Sequence, residues 1–224
     1  MLVAFDTSTA VASYALYGPD GLVAETTWRT HRDQTAQLLP GVHKMMQLQN
    51  VTPLDLTGVA VATGPGSFNG LRVGVSTAKG IALALSLPLF GFSSPDIVAH
   101  QHSYLDGKLW AVIEAGRGRL GVAFYKVKNG VSERQSDYFN LSVEEFAAKI
   151  TQPAFVGGEL NPAQAKYLTE NLPELATVLP SALSFRRAGS LAEMGWQSLQ
   201  AGKAGDDIAS LQPIYLHQPV PGKP

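Results

Sequence analysis

A chain of 224 residues is long enough for one large domain or two of ordinary size. Its 17 Lys plus Arg against 18 Asp plus Glu leave a net charge of −1, which supplies no electrostatic footprint for nucleic acid. With 45% apolar and 16% charged residues it has the composition of a soluble globular protein, and its lack of cysteine excludes disulfides and thiolate chemistry. That lack also argues against a structural zinc site and fits a reducing cytoplasm.

The amino terminus enters a strand at once. No basic region precedes it, and Asp6 falls where a secretory sequence would extend its apolar stretch, so no signal peptide is expected. Residues 2–5, 11–17 and 22–28 read as three short strands, antiparallel because the connecting turns, Gly18-Pro19-Asp20-Gly21 among them, are short. The spacing predicts a helix over 33–49 with Leu38, Val42, Met45 and Gln49 on one stripe. Pro40 is tolerated in its first turns and otherwise kinks it. A strand at 59–62 runs into Gly64-Pro65-Gly66-Ser67-Phe68-Asn69-Gly70-Leu71-Arg72-Val73-Gly74 and a helix that continues to Leu85. Glycines there permit positive φ and close backbone approach, and either Ser67 or Asn69 is placed to cap the helix. The loop is neither a P-loop nor a Gly-x-Gly-x-x-Gly turn. An anion site at the helix start and a plain tight turn both account for it. A strand at 89–92 and a helix at 95–102 close the first half. The longest apolar run, 81–92, is too short to span a bilayer and is broken by Pro88.

After Tyr104-Leu105-Asp106-Gly107 the order starts again. Strands are expected at 109–113, 120–127 and 131–139, with Lys128-Asn129-Gly130 as a hairpin signal. Ser142 and Glu145 make a capping box for the next helix. A strand at 155–156, a helix at 162–170, a strand at 176–179 and a helix at 188–201 follow. The tail from Pro213 to Pro224 reads as extended, fraying at its end. Two successive β-β-β-α-β-α-β-α units are the layout of the two-lobed α/β actin-like ATPase (ASKHA, ribonuclease H-like) fold. The lobes are expected at 1–104 and 105–224.

Several short runs add to that layout. They are Phe5-Asp6-Thr7-Ser8-Thr9, His31-Arg32-Asp33-Gln34-Thr35-Ala36-Gln37-Leu38-Leu39-Pro40, the glycine loop, Ala78-Lys79-Gly80-Ile81-Ala82 and Gln212-Pro213-Ile214-Tyr215-Leu216. In that order and spacing the chain resembles the TsaB (YeaZ) family, strongly in the amino-terminal half and mainly by layout in the rest. The resemblance implies a non-catalytic partner of TsaD in bacterial threonylcarbamoyl transfer to N6 of the adenosine beside the anticodon, in tRNAs reading ANN codons. TsaD would perform the chemistry, the ATPase TsaE would join the assembly, and tRNA would be bound by the complex more than by this subunit. No cofactor is implied for this chain, ATP or ADP being left to the complex interface, and the setting is cytoplasmic.

Asp6, Thr7 and Ser8 end the first strand where active members of the superfamily hold a metal–phosphate complex. Oxygen ligands suit Mg²⁺, yet an Asx or Ser/Thr turn uses the same side chains on their own backbone. Glu114-Ala115-Gly116-Arg117-Gly118-Arg119 is the matching turn of the second unit. Relatives usually show Asp-Ala-Arg and then a Glu there; Glu114, Gly116 and Arg119 depart from that pattern, which leaves the loop's role open. Gly157-Gly158 stands where the superfamily packs adenosine, and paired glycines let a flat base lie against the backbone. A vestigial nucleotide site would consist of Asp6, Thr7, Ser8, Glu114, Gly157 and Gly158, and ordinary turns that bind nothing account for the same residues. The alternative function, a small active kinase or ATPase of the same fold, would use Asp6, Glu114 and the Gly157-Gly158 turn.

TsaD carries a His-x-x-x-His metal pair beyond its glycine loop. The stretch here, Leu89-Phe90-Gly91-Phe92-Ser93-Ser94-Pro95, has no histidine. His31, His43, His100, His102 and His217 lack ligand spacing, so no metal is expected, and no Gly-x-Ser-x-Gly elbow offers a nucleophile. In the helix at 71–85, Leu71, Val75, Ala78, Ala82 and Leu85 form a heptad-like stripe. Gly70, Gly74 and Ala78 form a strip with almost no bulk, open to a closely packed helix. That neighbour is either the chain's own helix at 34–49 or a partner, and the resemblance favours TsaD, which joins TsaB through these two helices of each. The expected interface is Leu38, Val42, Met45, Gly70, Leu71, Gly74 and Ala78, with a homodimer through the same helices as its other use.

Overall fold

The computed structural model describes residues 1–30 and 33–216. The expectations for His31, Arg32, His217 and the end of the tail lie outside the described residues. In the first half, β1 (Leu2–Asp6), β2 (Val11–Gly18) and β3 (Gly21–Arg29) lead to α1 (Gln34–Leu48), β4 (Gly58–Gly64), α2 (Phe68–Leu85), β5 (Leu89–Ser93) and α3 (Ser94–Gln101). In the second half, β6 (Gly107–Glu114), β7 (Leu120–Lys128), β8 (Val131–Arg134) and β9 (Phe139–Leu141) lead to α4 (Val143–Lys149), β10 (Ala154–Gly158), α5 (Pro162–Asn171), β11 (Ala176–Val178) and α6 (Ala188–Gln200).

The first sheet has the order β3-β2-β1-β4-β5, with β1 to β3 antiparallel and β1, β4 and β5 parallel. The second repeats it as β8-β7-β6-β10-β11, with β6 parallel to β10 and β10 to β11. This duplicated order is the actin-like ATPase fold. Each central strand is buried on both faces and so reads as a nearly continuous apolar run. In β1, Val3 and Phe5 pack with Leu38, Val42, Met45, Val75 and Ala78 of α1 and α2. Leu2 and Ala4 face the other way, onto Leu191 and Ala192 of α6. The second sheet packs Phe146 and Leu168 of α4 and α5 on one face and Val98 and Ala99 of α3 on the other. α3 and α6 are thereby exchanged: each follows one sheet in sequence and packs on the other.

Ser67 caps α2 by accepting the Gly70 N–H, so the helix starts three residues before the expected Leu71. Ser142 caps α4 through the capping box with Glu145. The single strand expected at 131–139 is instead two, β8 against the end of β7 and β9 against its start. Between them Ser136 Oγ accepts the Phe124 N–H and Gln135 N–H donates to the Phe124 carbonyl, so a side chain replaces the ladder locally. The tail runs back along β5, where Asp206 N–H donates to the Leu89 carbonyl and Asp206 Oδ2 accepts the Gly91 N–H. It thus covers an edge that would otherwise offer unpaired backbone groups.

Candidate functional site

The turn after β1 is closed on itself. Asp6 Oδ1 accepts the Ser8 N–H at 2.9 Å and the Ser8 hydroxyl at 2.6 Å, an Asx turn buried from solvent. Asp6 Oδ2 is taken by Arg186, whose Nε donates at 2.8 Å. Arg186 is 1% exposed. One terminal nitrogen donates to Ser8 Oγ at 2.9 Å and Thr9 Oγ1 at 3.0 Å, and the other lies 3.0 Å from Glu159 Oε1 in ion-pair contact without hydrogen-bond geometry. Glu159 also accepts the Thr9 hydroxyl at 2.6 Å and the Glu114 N–H at 3.1 Å. Burial opposes the guanidinium charge, and the attraction of Asp6 and Glu159 more than offsets it, so the Arg186 pKa is raised.

The sequence placed Asp6, Thr7 and Ser8 together, and the structure adds Arg186 and Glu159. Neither carries a local signal, and Arg186 lies 180 residues from Asp6. Thr7 turns to the other side of β1, where its hydroxyl donates to the Gly70 carbonyl at 2.7 Å. Glu114 side chain is exposed and only its backbone joins the network. The glycine-rich turn that follows runs through left-handed φ at Gly116, Arg117 and Gly118, and Arg119 is tied to Asn140 and Glu145.

One expectation is narrowed and another needs correction. On the side a Cβ would take, Gly157-Gly158 has no room for adenosine. A Cβ on Gly157 would stand 2.8 Å from His102 Cδ2, and one on Gly158 would overlap the Val112 carbonyl, so the space the glycines leave is filled from within. The strip expected at a partner interface also faces inward. Gly70, Leu71, Gly74 and Ala78, like Leu38, Val42 and Met45, are buried in the chain's own core. The glycines let β1 approach, with a Gly74 Cβ falling 2.5 Å from Thr7 Oγ1. The outward residues of the two helices are others: Leu39 and Leu48 on α1, and Ser76, Gly80 and Leu83 on α2, with Leu83 64% exposed.

A cleft of about 770 Å³ opens beside the turn, between the ends of the two sheets. Thr9, Ser67, Phe68, Arg117, Asn140 and Tyr215 are among its lining, whereas Asp6, Gly157 and Gly158 are not. Arg72 lies over the Phe68 ring, and Phe68 meets Tyr215 at 5.0 Å between centroids. Of the described histidines, His43 is exposed and His100 pairs with Glu193 at 3.0 Å. His102 is 1% exposed with neither ring nitrogen hydrogen-bonded, and burial lowers its pKa. Among the described residues no three of His, Cys, Asp and Glu gather as a metal site.

A family described as "TsaD: tRNA N6-adenosine threonylcarbamoyltransferase" matches residues 6–219. The protein named tRNA threonylcarbamoyladenosine biosynthesis protein TsaB of Bacillus subtilis (strain 168) is 27% identical over 96% of this chain and 93% of its own. The protein of the same name from Escherichia coli (strain K12) is 32% identical over 58% of this chain and 57% of its own. The solved structure of YeaZ from Pseudomonas aeruginosa matches with a TM-score of 0.77 and 24% identity, over 96% of this chain and 99% of that one. The chain belongs to the TsaD-type family, within its TsaB (YeaZ) group.

Proposed function

We propose that this TsaB (YeaZ) family member is a non-catalytic subunit in tRNA threonylcarbamoyladenosine biosynthesis that binds TsaD and holds it in its competent form. TsaD would then transfer the threonylcarbamoyl group to N6 of the adenosine beside the anticodon of tRNAs reading ANN codons. The place in this biosynthesis follows from the family. The non-catalytic part of the reading is supported by one observation, the internal bonding of Asp6. With Oδ1 accepting twice from Ser8 and Oδ2 held by the buried Arg186 guanidinium, three of the carboxylate's roughly four acceptor sites are used, which argues against its holding a metal-bound phosphate.

The partner face on this reading is the outer side of α1 and α2, where Leu39, Leu48 and Leu83 are exposed. A second copy of the chain could use the same face. The contribution to TsaD is a coupling free energy between that face and a distant site, about 1–3 kcal/mol if ordinary. TsaE and tRNA belong to the assembly, and this chain needs no cofactor of its own, ATP or ADP being left to the junction with TsaD. The setting is the cytoplasm; no described helix is long and apolar enough to cross a membrane. Mixing the purified chain with TsaD of its own organism on a sizing column tests the reading. Co-elution is expected, with no ATP turnover by the chain alone. Separate elution, or turnover lost in Asp6→Ala, overturns it.

A further inference from the structure

The two halves of the chain are joined by two crossings, one from α3 into β6 and one from β11 to α6. Arg186 lies on the second, immediately before α6. From there its guanidinium reaches Asp6, Ser8 and Thr9 at the end of β1 in the first sheet. The same group meets Glu159 just beyond the end of β10 in the second sheet. Thr9 closes the ring by donating to Glu159, a direct bond between the halves. The crossings are also tied to each other: Gln101 at the end of α3 donates to the Leu183 and Phe185 carbonyls and accepts the Arg187 N–H.

We infer that Arg186 is a latch that fixes the angle between the two halves and thereby the opening of the cleft beside it. A rotation that parts the two sheet ends separates Asp6 from Glu159, and the buried guanidinium cannot follow both. The buried Arg186–Asp6 pair would then lose the second charge that balances it, a state that buried charges strongly disfavour. The planar fork fixes the group on the first half through directional bonds to Asp6, Ser8 and Thr9, and holds Glu159 of the second half by charge at 3.0 Å. A cleft held this way keeps one width whether or not anything enters it. The inference concerns the chain alone and does not rest on the proposed partnership with TsaD.

The chain contains no cysteine, so two can be added without removing any. Asp20 in the β2–β3 turn and Val131 at the start of β8 are exposed and lie on different sheets. With spin labels at Asp20→Cys and Val131→Cys, the otherwise native chain should give one narrow distance distribution. Arg186→Met should lose that single narrow peak while circular dichroism still reports the fold. An unchanged narrow peak in folded Arg186→Met, or a broad distribution in the native background, overturns the latch. Should Arg186→Met fail to fold, Glu159→Gln decides, because it leaves the Asp6–Arg186 pair intact and removes only the charge on the second sheet. Broadening there supports the latch, and an unchanged peak overturns it.

Discussion

Replacing two glycines of α2 by alanine should move stability in opposite directions. Gly70 is buried, and a Cβ there would overlap the backbone carbonyl oxygen of Thr7. Thr7 directly follows β1, whose hydrogen bonds to β2 on one side and β4 on the other leave that carbonyl little room to retreat. Overpacking of this kind costs about 1–3 kcal/mol, toward the upper end when backbone must move. The gain in helix propensity is at most about 1 kcal/mol and smaller in the first turn. Gly70→Ala should therefore lose about 1–2 kcal/mol, the difference of those two terms. A Cβ on Gly80 meets nothing within 4 Å, and the residue is exposed, so Gly80→Ala keeps the propensity gain. For a chain of this size 1 kcal/mol shifts Tm by about 2–4 °C, which should place the two variants roughly 4–12 °C apart with the unaltered chain between them. Thermal unfolding followed by circular dichroism reads this directly. A neutral Gly70→Ala together with a destabilised Gly80→Ala would mean that α2 presents the opposite face to the sheet, and the assignment of its inward strip would fall.

Asp6→Asn should cost about 3–5 kcal/mol, nearer the lower figure because Glu159 still faces Arg186, and a urea midpoint unchanged at constant m-value would refute the paired-charge reading. Stability should also fall in mild acid. The His102 pKa is lowered by burial in the folded chain, so its contribution is complete above the unfolded value of about 6.5 and is lost as pH drops through that value toward the folded one. The unfolded chain then takes up a proton that the buried ring refuses. His102→Leu removes that dependence, and parallel pH–stability curves for the two proteins would contradict it.

Periodicity and turn chemistry made the duplicated layout legible. Lys128-Asn129-Gly130, the Ser142–Glu145 box and the alternation of strand and helix each act over a few residues and needed no tertiary knowledge. The orientation of α2 was not legible in the same way. Gly70, Leu71, Gly74, Val75 and Ala78 form one broad inward face. Spacing says that such residues share a side and does not say which neighbour lies against it. Small residues invite a close approach, and here the visitor is β1. The Asp6 turn was visible as a carboxylate among hydroxyls, whereas its counter-ion comes from a crossing far along the chain. A buried arginine leaves no pattern in a sequence because its partners are set by the fold. The break between β8 and β9 was hidden for a related reason, since Ser136 substitutes its side chain for a ladder bond at a point no alternation marks.

The proposed binding of TsaD to the outer side of α1 and α2 can be probed by a single substitution on that side. Leu83→Glu places a carboxylate at an exposed position of α2, where a surface change ordinarily alters stability by no more than about 0.5 kcal/mol. Buried under a partner, the same charge would be desolvated without a counter-ion. On a sizing column with TsaD of its own organism, the unaltered chain should co-elute, and Leu83→Glu should elute separately with an unchanged Tm. Co-elution of Leu83→Glu with TsaD, or separate elution of the unaltered chain, would contradict the account.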